Sequence, residues 1–141
     1  MPSPFATDAD RDAFLADPRQ AILITHRNNS APMGVPVWFD WSDEKVSMFA
    51  AKNTAKIRRL RNDPRASVLV TNHVGEPERW VAFDGDISIS EEGGIELANR
   101  LAERYWDLKD PDRKATLNQW NQVADLFCTL TMAPDKIRTG A

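Results

Sequence analysis

Cysteine is almost missing from this chain. Cys128 alone occurs in 141 residues, which excludes an internal disulfide and fits a reducing, cytoplasmic setting. Histidine is nearly as scarce. His26 and His73 stand far apart with no cysteine or carboxylate at ligand spacing, so no metal centre is expected. No apolar run reaches membrane-spanning length. The first five residues and the acidic Asp8, Asp10 and Asp12 behind them lack the basic and apolar regions of a secretory leader. Repeats, a Ser-centred nucleophile elbow, a Gly-rich dinucleotide fingerprint and a phosphate-binding P-loop are all missing.

What is present is an ordinary globular composition, 42% hydrophobic and 28% charged, which suits one domain over residues 1–141. The net charge is −3, yet Lys52 to Arg65 is markedly basic. A local excess of this kind suits a small anionic ligand. Nucleic acid, by contrast, usually recruits a basic domain.

The basic stretch lies inside the segment KVSMFAAKNTAKIRRLRNDPRASVLV, Lys45 to Val70. Alternation at Lys45–Ala50 predicts a strand. Asn53 and Thr54 are helix-capping residue types, and Ile57 and Leu60 fall on one helical face. Asp63-Pro64 ends the helix, since proline brings no N–H and clashes with the preceding turn. A β-branched strand then resumes at Arg65–Val70. A helix start with free N–H groups, flanked by Lys52, Thr54 and Lys56, is a place to hold a phosphate. Read alone, the same residues also describe a solvated basic face.

Elsewhere Thr7 or Asp8 can cap a short helix that carries Phe14 and Leu15. Strands are expected at Ala21–Arg27 and at Met33–Asp40, joined by the turn Asn28-Asn29-Ser30. With the strand at Lys45, reached through a turn at Ser42-Asp43, they predict a three-stranded meander. Pro36 belongs at a sheet edge, a bulge or a ligand-facing position, because it cannot donate to a ladder. In Arg79–Ser90, Val81, Phe83, Ile87 and Ile89 share one face, and Trp80, Ala82, Asp84 and Asp86 share the other. Gly85 marks a bend or bulge there. The two aspartates read as a solvated or interface face. A helix is expected from Ser90, with a stripe at Ile95, Ala98, Leu101, Ala102 and Tyr105. A second helix carries Leu117, Trp120 and Val123, and Leu126–Met132 is the last strand. Pro134–Thr139 reads as a turn and a short extension. About six mostly sequential strands without βαβ alternation predict a mainly β protein, a small antiparallel barrel with peripheral helices. Cys128, mid-strand among apolar neighbours, reads as an inert buried thiol.

Thr54, Lys56 and Asn62-Asp63-Pro64-Arg65, together with Gly34-Val35-Pro36-Val37-Trp38-Phe39, resemble a family signature. They are similar to the flavin-binding split-barrel family that includes pyridoxamine 5'-phosphate oxidases and deazaflavin (F420)-dependent reductases. The likeness runs from about Ala21 to Ile137. It implies a split antiparallel β-barrel and a homodimer with cofactor, F420 or FMN, at the subunit interface. Backbone groups of Val35, Pro36, Val37, Ala50 and Ala51 would face the ring, and Thr54, Lys56 and Lys52 would hold the phosphate. Strand packing alone also accounts for Ala50 and Ala51. Trp80 matches a position that reaches toward the partner's cofactor, and a partly buried core tryptophan is the other reading of it. Positions matching further phosphate arginines of the oxidases fall at about Gly34 and Ala55, and their pyridoxal-phosphate-binding C-terminal segment has no counterpart. Arg58, Arg59 and Arg61 suit a longer anionic tail. The implied activity is F420- or FMN-dependent oxidoreduction of a small molecule, with no residue assigned as catalytic. The other readings are a non-enzymatic carrier of flavin, F420 or haem, with His26 or His73 as the only histidine ligands, and a dimeric scaffold.

Overall fold

The computed structural model describes residues 3–141. Part of the chain start read above as unlike a leader, residues 1 and 2, lies outside that range. Helix α1 (Asp8–Ala16) has Thr7 as its cap, the hydroxyl accepting from the Asp10 N–H at 3.1 Å. Strands β1 (Ala21–Thr25), β2 (Met33–Val37), β3 (Asp40–Ser42) and β4 (Lys45–Ala51) follow, then helix α2 (Ala55–Asn62). Strand β5 (Arg65–Thr71) leads to the long β6 (Trp80–Ser90), helices α3 (Gly94–Tyr105) and α4 (Pro111–Gln122), and strands β7 (Phe127–Met132) and β8 (Lys136–Gly140).

All strand pairings are antiparallel, in the order β2-β1-β5-β6-β7-β4-β3, with β8 added to β6. The sheet curls into a split barrel with the helices around it. β6 makes the curl. Its first part pairs with β5 on one edge and β8 on the other, whereas Ile87–Ser90 pairs with β7. Gly85 sits at the changeover, where a Cβ would lie 3.1 Å from Met132 Cγ. Leu23, Met48, Val68, Val81, Phe83 and Leu130 project inward and are fully buried. Alternation of buried and half-exposed residues along β1, β4 and β5 shows one face of each strand turned to this core.

Several expectations change. The strand expected over Met33–Asp40 breaks after Val37, and Asp40–Ser42 forms a hairpin with β4 through Asp43 and Glu44, at φ of 53° and 58°. The meander therefore fails: β2 lies at one end of the sheet and β3 at the other. The edge position of β2 explains how Pro36 is tolerated within a strand. α3 begins at Gly94 and not at Ser90, because Gly93 takes a left-handed φ of 80°. The turn and extension expected at Pro134–Thr139 lead into an eighth strand, β8, which runs on to Gly140. Its Arg138 clamps Asp84 at 2.7 and 2.9 Å, and Ser67 donates to the same carboxylate at 2.6 Å. Held by that guanidinium, Asp84 titrates below the usual carboxylate range. Cys128 is fully buried; its thiol donates to the Ala50 carbonyl at 3.4 Å, and burial pushes its pKa up.

Candidate functional site

Strand β4 runs out of the core at Ala51, and the chain turns at once into α2. The backbone closes this corner tightly: the Lys52 N–H donates to the Leu126 carbonyl at 2.8 Å. Thr54 occupies the N-cap position, but its side chain does not cap the helix. The hydroxyl donates instead to the Ala51 carbonyl at 2.8 Å. The capping role expected of it is thus corrected: the rotamer that reaches the Ala51 carbonyl leaves the hydroxyl oxygen without a helix N–H to accept. The start of α2 keeps N–H groups that no side chain satisfies.

Lys56, on the first turn, points into a cleft of about 210 Å³ lined by Gln20, Pro36, Val37, Trp38, Phe49, Lys56 and Trp120. Lys56 is half-buried, and among the described residues it has no carboxylate partner. Burial pushes its ammonium below the usual lysine range. The nearby Arg59 charge pushes the same way, against a smaller opposite pull from Cys128. An unpaired, partly desolvated cation beside aromatic walls is a receptor for an anion carrying a flat ring.

The walls belong to a larger cluster. Trp38 stacks on Tyr105, ring centroids 5.0 Å apart and planes 6° apart, and meets Trp106 edge-on at 4.8 Å. Phe49 lies 6.0 Å from Trp38 and 5.6 Å from Trp120. Phe49 sits on β4 between the buried Met48 and Ala50, so the pleat turns it outward toward the helices.

On the other side of the start of α2 lies a second hollow of about 370 Å³, lined by His26, Arg27, Asn28, Ala55, Arg58, Arg59 and Asn62. Among the described residues its arginines bond only neutral oxygens: Arg27 donates to the Ala31 carbonyl, Arg58 to the Asn53 carbonyl and Arg59 to the Thr25 hydroxyl. Arg61 is exposed and does not line it.

Of the residues expected at a site, Pro36, Val37 and Lys56 come together in the aromatic cleft. Lys52, Ala51 and Thr54 form the adjoining turn. Val35 packs toward the core and Ala50 is buried, so only their backbones are available. Trp80 lies elsewhere, in a mostly apolar hollow of about 360 Å³ with Ile24, Ser67, Leu69, Thr71, Ala82 and Arg138. Gln20, Trp38, Phe49 and Trp120 were not expected at the site, Trp38 being read only as part of the strand signature and Trp120 only as a helix-face residue. The pleat parity of Phe49 and the three-residue spacing of Leu117 and Trp120 were the available signals. His26 lines the arginine hollow, and His73 is exposed on the loop after β5. Among the described residues, no group of three or more His, Cys, Asp or Glu side chains is placed to hold a metal, and no helix is long and apolar enough to cross a membrane.

Known proteins share this arrangement of elements. An F420 reductase superposes with a TM-score of 0.72 at 18% identity, over 98% of each chain. An FAD-binding protein of Mesorhizobium loti gives 0.63 at 17% identity, over 94% of this chain and 91% of that one. General stress protein 26 of Bacillus anthracis gives 0.63 at 20% identity, over 91% and 88%. At these identities the likeness concerns the fold. No curated protein matches the sequence significantly. The family model for pyridoxamine 5'-phosphate oxidase, however, matches residues 7–138, which takes in every strand but the end of β8 and both hollows beside α2. The chain belongs to the pyridoxamine 5'-phosphate oxidase family.

Proposed function

We propose that this protein binds a flavin-type cofactor, F420 or FMN, in the aromatic cleft and serves as a cytoplasmic oxidoreductase acting on a small molecule. The observation that carries the reading is Lys56, a half-buried cation without a carboxylate partner, in a cleft walled by Trp38, Phe49 and Trp120. Two structural relatives, an F420 reductase and an FAD-binding protein, point the same way. When bound, the cofactor supplies the hydride or electron transfer. The residues of this chain orient and hold it. Lys56, with Lys52 and Thr54 from the turn, meets a phosphate beside the open N–H groups of α2. Val35, Pro36, Val37, Ala50 and Ala51 offer backbone beside the ring, and the aromatic walls exclude water. Among the described residues, Lys56 is the only titratable side chain that lines the cleft, and the chemistry is left to the cofactor.

Size supports a homodimer. Ligand pockets usually enclose roughly 300–1,000 Å³, and the cleft of one chain has only about 210 Å³. A second copy that covers the open side would complete the site, with Trp80 as the residue reaching across. The arginine hollow favours F420 over FMN. A ligand with a phosphate at Lys56 and a further acidic tail could pass the start of α2 and end among Arg27, Arg58 and Arg59. For a haem carrier the aromatic cleft offers no histidine.

The test begins with the visible spectrum of the purified protein and titrations with FMN, F420 and haemin. Turnover of reduced F420 with added menadione follows. We expect tight F420 binding, weakened by Lys56→Met, and a larger loss for F420 than for FMN on Arg58→Glu or Arg59→Glu. Binding without turnover would leave a carrier, and failure of all three titrations would remove the cofactor reading altogether.

A further inference from the structure

The three walls of the cleft are held by different elements. Phe49 sits in β4, paired with Thr129 of β7. Trp38 is clamped between Tyr105 and Trp106. Trp120 comes from α4, which has one buried residue, Leu117, and packs against α3. Its indole reaches from there into the cluster, 5.4 Å from Trp106 and 6.2 Å from Trp38.

A clasp joins the two helices next to this wall. The Asn99 amide donates to the Asn121 oxygen at 2.9 Å, and the Asn121 amide donates back at 3.1 Å. Each amide also donates to a carbonyl of its own helix, Asn99 to Ile95 at 2.8 Å and Asn121 to Leu117 at 2.9 Å. Both side chains are thereby held in one rotamer, and Asn121 directly follows Trp120 in the chain. The apolar anchors of α4 are Leu117 and the Trp120 indole, which meets Trp38, Phe49, Trp106 and Phe127, and the paired amides add a polar tie beside them that fixes the angle of the helix.

We propose that Trp120 is the specificity-determining wall of the cleft, and that the Asn99–Asn121 clasp sets how far it closes, so that the site selects flat aromatic anions by ring breadth. The proposal rests on the reading of this cleft as a ligand site and requires no particular cofactor. Lys56 supplies the charge complement for the anion, while Trp38 and Phe49 form the fixed surfaces. Trp120 in its observed position bounds a cleft of about 210 Å³, so of two ring systems carrying the same anionic group it should favour the narrower.

The experiment titrates naphthalene-2-sulfonate and pyrene-1-sulfonate, followed by probe fluorescence, into the intact protein and into Trp120→Ala, Trp120→Phe and Asn121→Ala. Circular dichroism and thermal melts check folding. We expect the original chain to prefer the naphthalene probe at least tenfold. Trp120→Ala should erase that preference, Trp120→Phe should keep most of it, and Asn121→Ala should reduce it about threefold. If Trp120→Ala does not fold, the other two variants decide. An unchanged preference in folded Trp120→Ala, or in both other variants, overturns the proposal, as does failure of both probes to bind the original chain. Parallel FMN and F420 titrations separate the two readings: ring-breadth selection without cofactor binding sinks only the redox function.

Discussion

The phenol of Tyr105 lies flat against the indole of Trp38 while its hydroxyl spans two backbones, donating to the Arg19 carbonyl at 2.6 Å and accepting from the Phe39 N–H at 3.3 Å. One side chain at the end of α3 thus backs a wall of the cleft and ties down the break between β2 and β3. Tyr105→Phe keeps the stack and leaves the Phe39 N–H without its acceptor, at a cost of about 1–3 kcal/mol. Ligand affinity should change little. Tyr105→Leu loses the stack as well, about 0.5–1.5 kcal/mol beyond area burial, and frees Trp38, so affinity should fall too. Urea unfolding together with FMN and F420 titration separates the two contributions.

Lys56 gives a pH signature. Its folded pKa lies below the ordinary 10.5 because burial disfavours the ammonium. Between that lowered value and 10.5 the unfolded chain holds more protons, so the native-state penalty at Lys56 shrinks as pH rises. Anion binding runs the other way, because it needs the ammonium and weakens as pH climbs through the lowered pKa. Lys56→Met should lower affinity for a phosphate-bearing ligand by about 10- to 100-fold, as a charge-assisted hydrogen bond worth about 1.5–3 kcal/mol implies. It should also flatten the alkaline loss and leave thermal stability unchanged or higher. Titrations from neutral to alkaline pH, with melts in parallel, check this. A variant that binds as tightly as the original would remove Lys56 from the site.

Much of the scaffold could be read from residue pattern. The β-branched run Arg65–Val70 and the alternation in Arg79–Ser90 marked β5 and β6, Thr7 announced α1, and Leu117 and Trp120 marked α4. Val37-Trp38-Phe39 misled because inward and outward residues keep alternating across a real break in hydrogen bonding. β8 was hard to see because Lys136-Ile137-Arg138-Thr139-Gly140 owes its strand state to the partner edge of β6 and not to its own side chains. The basic end of the site was local in sequence and therefore visible. Its aromatic end was not, since Gln20, Phe49 and Trp120 meet only after α3 and α4 fold back over the sheet. The choice of the Thr54 hydroxyl between the helix N–H groups and the Ala51 carbonyl depends on a rotamer that residue type does not specify.

Acid should unlock one specific contact. Arg19, 1% exposed, donates to the Phe14 carbonyl at 2.8 Å and meets Glu76, fifty-seven residues away, at 2.6 Å. The Arg19 hydrogen bond, followed by the His73 N–H, pulls the Glu76 pKa down to about 2 from the ordinary 4.5. The folded value is the lower one, so the stabilisation is complete above 4.5 and disappears as pH falls toward 2. Glu76→Gln should be less stable at neutral pH and should show a shallower loss of stability between pH 4.5 and 2. Denaturant midpoints measured across that interval test it, and parallel acid limbs for the two proteins would count against the contact.

Trp80 provides the test of the second copy. Its ring lies so close over Gly140 that a Cβ there would stand 2.5 Å from Trp80 Cζ2 and 2.7 Å from Cε2. No L-side chain tolerates such contacts, so Gly140→Ala must displace the indole or shift the end of β8. The hollow beside Trp80 is built from the outward residues Ile24, Leu69 and Ala82 of β1, β5 and β6. If a partner covers this face and receives Trp80, moving the ring removes an aromatic anchor, for which truncation losses of about 2 kcal/mol or more are usual. Self-association should then weaken by roughly 30-fold, with far-UV circular dichroism unchanged. Trp80→Ala should do the same without straining β8, which separates loss of the anchor from damage to the strand. Sedimentation equilibrium on both variants gives the answer: a monomeric original chain would remove the second copy, equal association in all three proteins would place the partner on another face, and either takes from Trp80 its role at the neighbouring site.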